Sequence, residues 1–223
     1  MVPIRLRFFF AAAAAAFVAV AVALVLLYRQ QALDEAIRSQ EAQNVVLTRA
    51  LANVLWPRFA GHVRGATPAG LDDLRSSVAA QEFNKEIAEV VRNTPVHRAK
   101  VYNVAGLTVF SSNLAQIGED RADYLGFRQA MDRRVPFSTL EFRDSFTGFA
   151  QTLTSVYLVS SYIPIEGEGG EIEGVFEIYT EATPAMERFR NSAVRFGAIV
   201  AAGLGFLYAG LVFALGRGGA KLK

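Results

Sequence analysis

Two stretches of the chain contain no charged residue, 8–28 (FFFAAAAAAFVAVAVALVLLY) and 196–215 (FGAIVAAGLGFLYAGLVFAL). At roughly 20 residues each is long enough to cross a hydrocarbon core as a helix. The pattern predicts two transmembrane helices that enclose 29–195 on one side of a membrane, with 1–7 and 216–223 as short tails on the other. Directly after the first run, Leu33, Ile37, Val45, Leu47, Leu51, Val54 and Leu55 recur at three- and four-residue spacing. That periodicity predicts a long helix over 30–56, with Pro57 as its stop. Its apolar face is broad enough to pack on its own domain or on a second copy of itself. A turn-rich break follows at 61–70 (GHVRGATPAG). One or two shorter helices are expected over 71–92, with Leu71, Leu74, Val78, Ile87 and Val90 facing inward.

From Val96 the period changes to two. Five segments alternate in the manner of half-buried antiparallel strands: 96–103, 107–112, 136–143, 152–165 and 171–181. In the last of them Ile172, Phe176 and Ile178 face one way, while Glu173 and Glu177 face the other. A long excursion, 113–135, separates the second strand from the third and carries a predicted helix over 124–133. The fold class is therefore α+β, a five-stranded antiparallel sheet over 96–181 with helices before, within and after it. Thr183 followed by Pro184 is an N-cap and first-turn signal for a helix that runs into the second apolar run.

Charge fixes an expected orientation. Arg5 and Arg7 precede the first run, Arg217, Lys221 and Lys223 follow the second, and no acidic residue accompanies them. The positive-inside rule puts both ends in the cytoplasm and the loop in a periplasm, the topology of a two-span inner-membrane protein. All 21 acidic residues lie in the loop, so the overall net charge of +2 hides an acidic loop. A cleaved leader would need a shorter apolar region and a small-x-small cleavage site, whereas the run here ends Leu-Leu-Tyr-Arg. The chain has no cysteine, which excludes disulfides, cysteine metal sites and thiol catalysis. Its basic residues are interspersed with acids, so no nucleic-acid partner is expected.

Little in the sequence looks catalytic. The two histidines, His62 and His97, lie far apart in sequence and do not make a zinc site without further ligands. Ser111, Ser112, Ser160 and Ser161 have no evident histidine–acid partners for a hydrolase triad. Gly169-Gly170-Glu171 resembles part of a cyclase signature but sits where a hairpin turn is expected, and Glu166, Glu168, Glu171 and Glu173 read as its solvated rim. The expectation is a protein that is not an enzyme, with no cofactor and no metal.

The segment 100–120, KVYNVAGLTVFSSNLAQIGED, joins a strand, a glycine turn, a strand ending in Ser-Ser and then Ile-Gly-Glu-Asp. It resembles the single Cache domains, the extracytoplasmic PAS-like sensor modules of bacterial membrane histidine kinases, diguanylate cyclases and chemoreceptors. NVVLTRALANVLWPRF (44–59), SSYIP (160–164) and GVFEIY (174–179) are similar to the long helix and the last two strands of such modules. The resemblance implies a PAS-like fold, a homodimer, and a ligand pocket between one sheet face and the excursion. Tyr102, Phe110, Tyr124, Phe127, Arg128, Phe142, Tyr157 and Tyr162 are its candidate lining, an apolar-aromatic pocket with one cation, Arg128. The Arg-x-Trp/Tyr-Tyr pattern of amino-acid-binding double Cache sensors is absent. Ser112 and Asn113 stand where citrate-type sensors place basic residues. Such sensors continue into a HAMP linker and an output domain, while this sequence ends eight residues after the second run; the output is expected on a missing portion or on another chain.

In the second run Ala201, Gly205 and Ala209 form a small-xxx-small face suited to close helix packing. The reading of the whole is a membrane-anchored sensor for a small ligand or envelope signal, acting on a histidine kinase of a two-component system or a diguanylate cyclase. Its partners are membrane lipid, a second copy and that cytoplasmic output. The alternative is a periplasmic protein-interaction subunit that binds no small molecule.

Overall fold

The computed structural model describes residues 4–68, 71–149 and 151–218. The chain forms two compact units, one of 1–35 with 185–223 and one of Ala36–Pro184. Two helices are shared between them. Helix α1 runs from Ile4 to Gly65 and helix α5 from Thr183 to Gly218, and each contains a stretch long and apolar enough to cross a membrane. In the first unit the two helices meet through aromatic residues. Tyr28 stacks on Phe196 with ring centroids 4.3 Å apart, and the Tyr208 hydroxyl donates to the Phe10 carbonyl at 3.2 Å. Ala201, Gly205 and Ala209 are exposed on α5.

The second unit is the α+β domain. Two short helices, α2 (Leu71–Ser76) and α3 (Val78–Val90), precede strands β1 (Val96–Tyr102) and β2 (Thr108–Ser111). Helix α4 (Leu125–Arg133) sits in the excursion, and β3 (Phe137–Thr147), β4 (Thr152–Glu166) and β5 (Ile172–Glu181) complete the sheet. Its order is β2-β1-β5-β4-β3, with every neighbouring pair antiparallel. The turn between β4 and β5 contains Gly170 at φ 79°, so the Gly-Gly-Glu sequence is a hairpin turn.

The core lies between one sheet face and helices α1 and α3. Leu51, Leu55, Phe59 and Val63 of α1 and Phe83 and Ile87 of α3 pack on Ala99, Val101, Phe110, Ile163, Phe176 and Ile178. Phe83 stacks on Phe110 at 4.2 Å, and Phe59 meets both rings edge-on. This packing corrects the expected stop at Pro57. A proline removes only one backbone donor and strains one turn, and Phe59 and Val63 go on burying the same face beyond it, so the helix continues to Gly65. Val78 and Val90 also differ from expectation: both are exposed, and Ala80, Phe83 and Ile87 form the inward face of α3. Thr183 begins α5 rather than capping it, its hydroxyl instead accepting from the Tyr157 N–H at 3.1 Å.

One polar cluster interrupts the core. Asn44 of α1 is buried and donates to Ser161 Oγ of β4 at 2.8 Å and to Thr180 Oγ1 of β5 at 3.1 Å. An amide buried between a helix and a sheet is tolerated because its donors are satisfied.

Candidate functional site

The other sheet face is only partly covered, and the way the excursion is tied down decides what covers it. Asn103 opens the β1–β2 turn by accepting from the Ala105 and Leu107 N–H groups through its side chain. Gly106 in this turn has φ 83°, and a Cβ there would run into the backbone of Ala122. The close approach lets the excursion lie along β2: the Thr108 N–H donates to the Glu119 carbonyl, the Gly118 N–H to the Thr108 carbonyl and the Arg121 N–H to the Gly106 carbonyl. Glu119 and Arg121 are thereby held at the sheet face. Farther along, α4 closes one end, where Phe127 packs edge-on against Tyr102 at 5.8 Å. Gly126 is needed there, because a Cβ would overlap the Tyr162 ring.

A cavity of about 400 Å³ remains between this face and the excursion. Its floor is a cross-strand row: Lys100 of β1 pairs with Glu177 of β5, and Glu177 with Tyr162 of β4. Lys100 and Glu177 are both buried, with 2% and 1% of their surfaces exposed. The Tyr102 hydroxyl donates to Glu177 Oε2, while Glu177 Oε1 has no hydrogen-bond partner. The ammonium of Lys100 stands 3.8 Å from Glu119 Oε2, beyond hydrogen-bonding distance. Burial lowers the pKa of Lys100, and Glu177 and Glu119 oppose that shift. Burial and the nearby Glu177 raise the pKa of Tyr102, Tyr162 and Tyr179 alike, so all three phenols keep their protons.

The rim is cationic but largely engaged. Arg121 is paired with Glu119 and Arg143 with Glu141. Arg98 lies over the Phe146 ring at 4.0 Å and donates to the Thr147 carbonyl. This lining is polar and charged, unlike the apolar-aromatic pocket with a single cation that the sequence led us to expect.

The eight expected residues are scattered by the fold. Tyr102, Tyr124 and Tyr162 line the cavity, and Phe127 is buried against Tyr102. Arg128 is exposed on α4 and is not part of the lining. Phe110 lies in the core on the opposite face, stacked on Phe83 and His62. Phe142 and Tyr157 form an edge-on pair, both partly exposed, and neither lines the cavity. The residues missed include Arg98, Lys100, Arg121, Arg143, Glu177 and Tyr179. In Val-Phe-Glu-Ile-Tyr and Arg-Ala-Lys-Val-Tyr alternation places these charges on one strand face, but the same pattern describes a face that meets solvent.

A second hollow of about 530 Å³ lies between α1 and the β4–β5 turn. Its polar groups serve one another: Glu173 accepts from Trp56 Nε1 and pairs with Arg64 at 3.4 Å. Among the described residues no three metal-ligating side chains converge. His62 is stacked on Phe110, and His97 stands 3.5 Å from Glu181.

No protein-family model matches the chain. No curated protein matches it either. Solved structures do. One is a sensory box sensor histidine kinase from Vibrio cholerae, 17% identical, covering 47% of this chain and 95% of its own, with a TM-score of 0.31. Another is the periplasmic domain of RsbU from Chlamydia trachomatis, 16% identical, covering 71% and 56%, with a TM-score of 0.38. A third is the periplasmic sensory domain of the Campylobacter jejuni chemoreceptor Tlp1, 10% identical, covering 68% and 58%, with a TM-score of 0.33. The chain thus spans less than two thirds of the latter two. The superpositions are partial.

Proposed function

We propose that this chain is the input module of a membrane signalling protein. In this reading α1 and α5 cross the inner membrane, both ends lie in the cytoplasm, and the Ala36–Pro184 domain meets the periplasm. The observation that carries the proposal is the cavity of about 400 Å³ over the buried Lys100 and Glu177, whose lining is polar and charged. A hollow of this size with a few convergent polar groups is suited to a small molecule. Occupancy would reach the other side through the two helices, each of which belongs to both units, and a cytoplasmic kinase or cyclase would read it, with a homodimer as the working form. We assign no catalytic step to the chain.

A thermal-shift screen of the purified full chain in detergent against small metabolites tests this. A ligand present at 100 times its dissociation constant adds about 2.7 kcal/mol to the folded state, so a dose-dependent rise in melting temperature is expected. A broad screen with no hit on folded protein would favour a docking subunit instead.

A further inference from the structure

We infer that the last residues of β3 with the start of the turn behind them, 143–149, form a strap across one end of the cavity, latched to β1 by Arg98, and that releasing the strap loosens the start of α5. The sensor reading gives this device its purpose, while the strap itself is testable with no ligand present.

The first observation is reach. In the sheet, β5 and β4 stand between β1 and β3. Yet the end of β3 meets β1: the Phe149 N–H donates to the His97 carbonyl at 2.7 Å, and Arg98 Nε donates to the Thr147 carbonyl at 3.1 Å. Between these contacts Phe146 packs on Tyr179 of β5 with ring centroids 5.1 Å apart, and the Arg98 guanidinium lies 4.0 Å over the Phe146 ring. The segment therefore crosses β5 on the cavity side, and Arg143, Ser145, Phe146 and Thr147 line the cavity.

The second is how lightly the crossing is held. Arg143, Asp144, Ser145 and Thr147 are exposed, and only Phe146 among 143–147 is buried. A segment with few buried apolar contacts opens at low free energy. The hold rests on the Arg98 clamp and on the close approach of Gly148, where a Cβ would stand 2.6 Å from the His97 carbonyl oxygen.

The third is the base of the strap. The β3–β4 pairing runs as far as Arg143 with Val156, skips Asp144 and Ser155, and resumes at Ser145 with Thr154. Ser155 has φ 52°, a left-handed backbone that a residue with a side chain adopts at a cost. Such a break is a pivot. Two residues on, the Tyr157 N–H donates to Thr183 Oγ1 at 3.1 Å, and the Tyr157 carbonyl accepts from the Ala182 N–H at 2.8 Å. The first residue of α5 thus hangs on the strand segment that turns with the strap. An occupant that draws Arg98 away from Thr147 frees the strap, and motion about Ser155 reaches Thr183.

Hydrogen exchange of the full chain in detergent, read by mass spectrometry, tests this. Arg98→Met keeps most of the apolar stem and removes the clamp. Amides in 143–149 should then exchange about tenfold faster or more, as expected for loss of hydrogen bonds from a charged group. Amides in 182–186 should follow, and α3 should be unchanged. Arg143→Met removes an ion pair from the same segment but not the clamp, and should alter neither region. Gly148→Ala opposes the closure from the turn and should reproduce the effect of Arg98→Met, so the test stands even where faster exchange of α3 shows that Arg98→Met folds poorly. Unchanged exchange at 143–149 in both variants, or an equal gain in Arg143→Met, overturns the latch. Faster exchange there with 182–186 unchanged overturns the coupling to α5. Either failure leaves the sensor reading to be decided by the metabolite screen.

Discussion

His62 shows how burial without a partner becomes a dependence on pH. Its ring is stacked on Phe110 with centroids 5.4 Å apart, and its Nε2 has no hydrogen-bond partner. Burial therefore lowers its pKa below the ordinary 6.5. The unfolded chain takes up a proton near pH 6.5 while the folded chain resists it, so the unfolded state binds more protons and stability falls as pH drops through that value. Above pH 6.5 the contribution is fully present. Replacing His62 with Phe keeps the stacking and removes the titration. Denaturation midpoints of the chain and of His62→Phe at pH 7.5 and 5.5 should show a smaller acid loss in the variant. Equal losses would mean that other groups account for the acid sensitivity.

At the scale of elements, Asn44 joins α1 to the adjacent strands β4 and β5. Asn44→Ala leaves the hydroxyls of Ser161 and Thr180 short of a buried donor, and a cost of about 1–3 kcal/mol is expected, measurable by urea denaturation; a change within error would mean that water replaces the amide. The helix that carries Asn44 was legible in its three- and four-residue apolar spacing, and the strands in their alternation. The end of α1 was not, because Pro57 is a local signal and burial of Phe59 and Val63 against the sheet overrides it. The cavity was hardest to read. Alternation correctly set Glu177 on the face opposite Phe176, whereas Glu173, beside a register irregularity, reaches Trp56 and Arg64 of α1; whether the Glu177 face meets water depends on the excursion folding back along β2, through backbone hydrogen bonds that have no residue pattern. Glu177 thus reads as a solvated strand residue until its register with Lys100 and Tyr162 is known. Arg128 was prominent as the cation of a predicted amphipathic helix, yet its helix turns Phe127 and Ala130 inward and leaves it exposed.

The whole molecule invites a test of topology, and the absence of native cysteine makes it clean. A cysteine placed at Glu168, exposed in the β4–β5 turn, should react in intact cells with a membrane-impermeant maleimide, while one at Lys221 should react only after lysis. The reverse pattern would invert the orientation, and labelling of both in intact cells would remove the second span. At this scale the sheet is a partition only one peptide thick. Tyr162 lines the cavity, and Ser161, its immediate neighbour, holds Asn44 on the far side. Thr180 and Tyr179 repeat the arrangement on the next strand, one bonded to the long helix and the other lining the cavity. A single peptide bond in each strand therefore separates the room from the beam that runs past its back wall, so anything that shifts Tyr162 or Tyr179 pulls directly on a hydroxyl by which that beam is fastened.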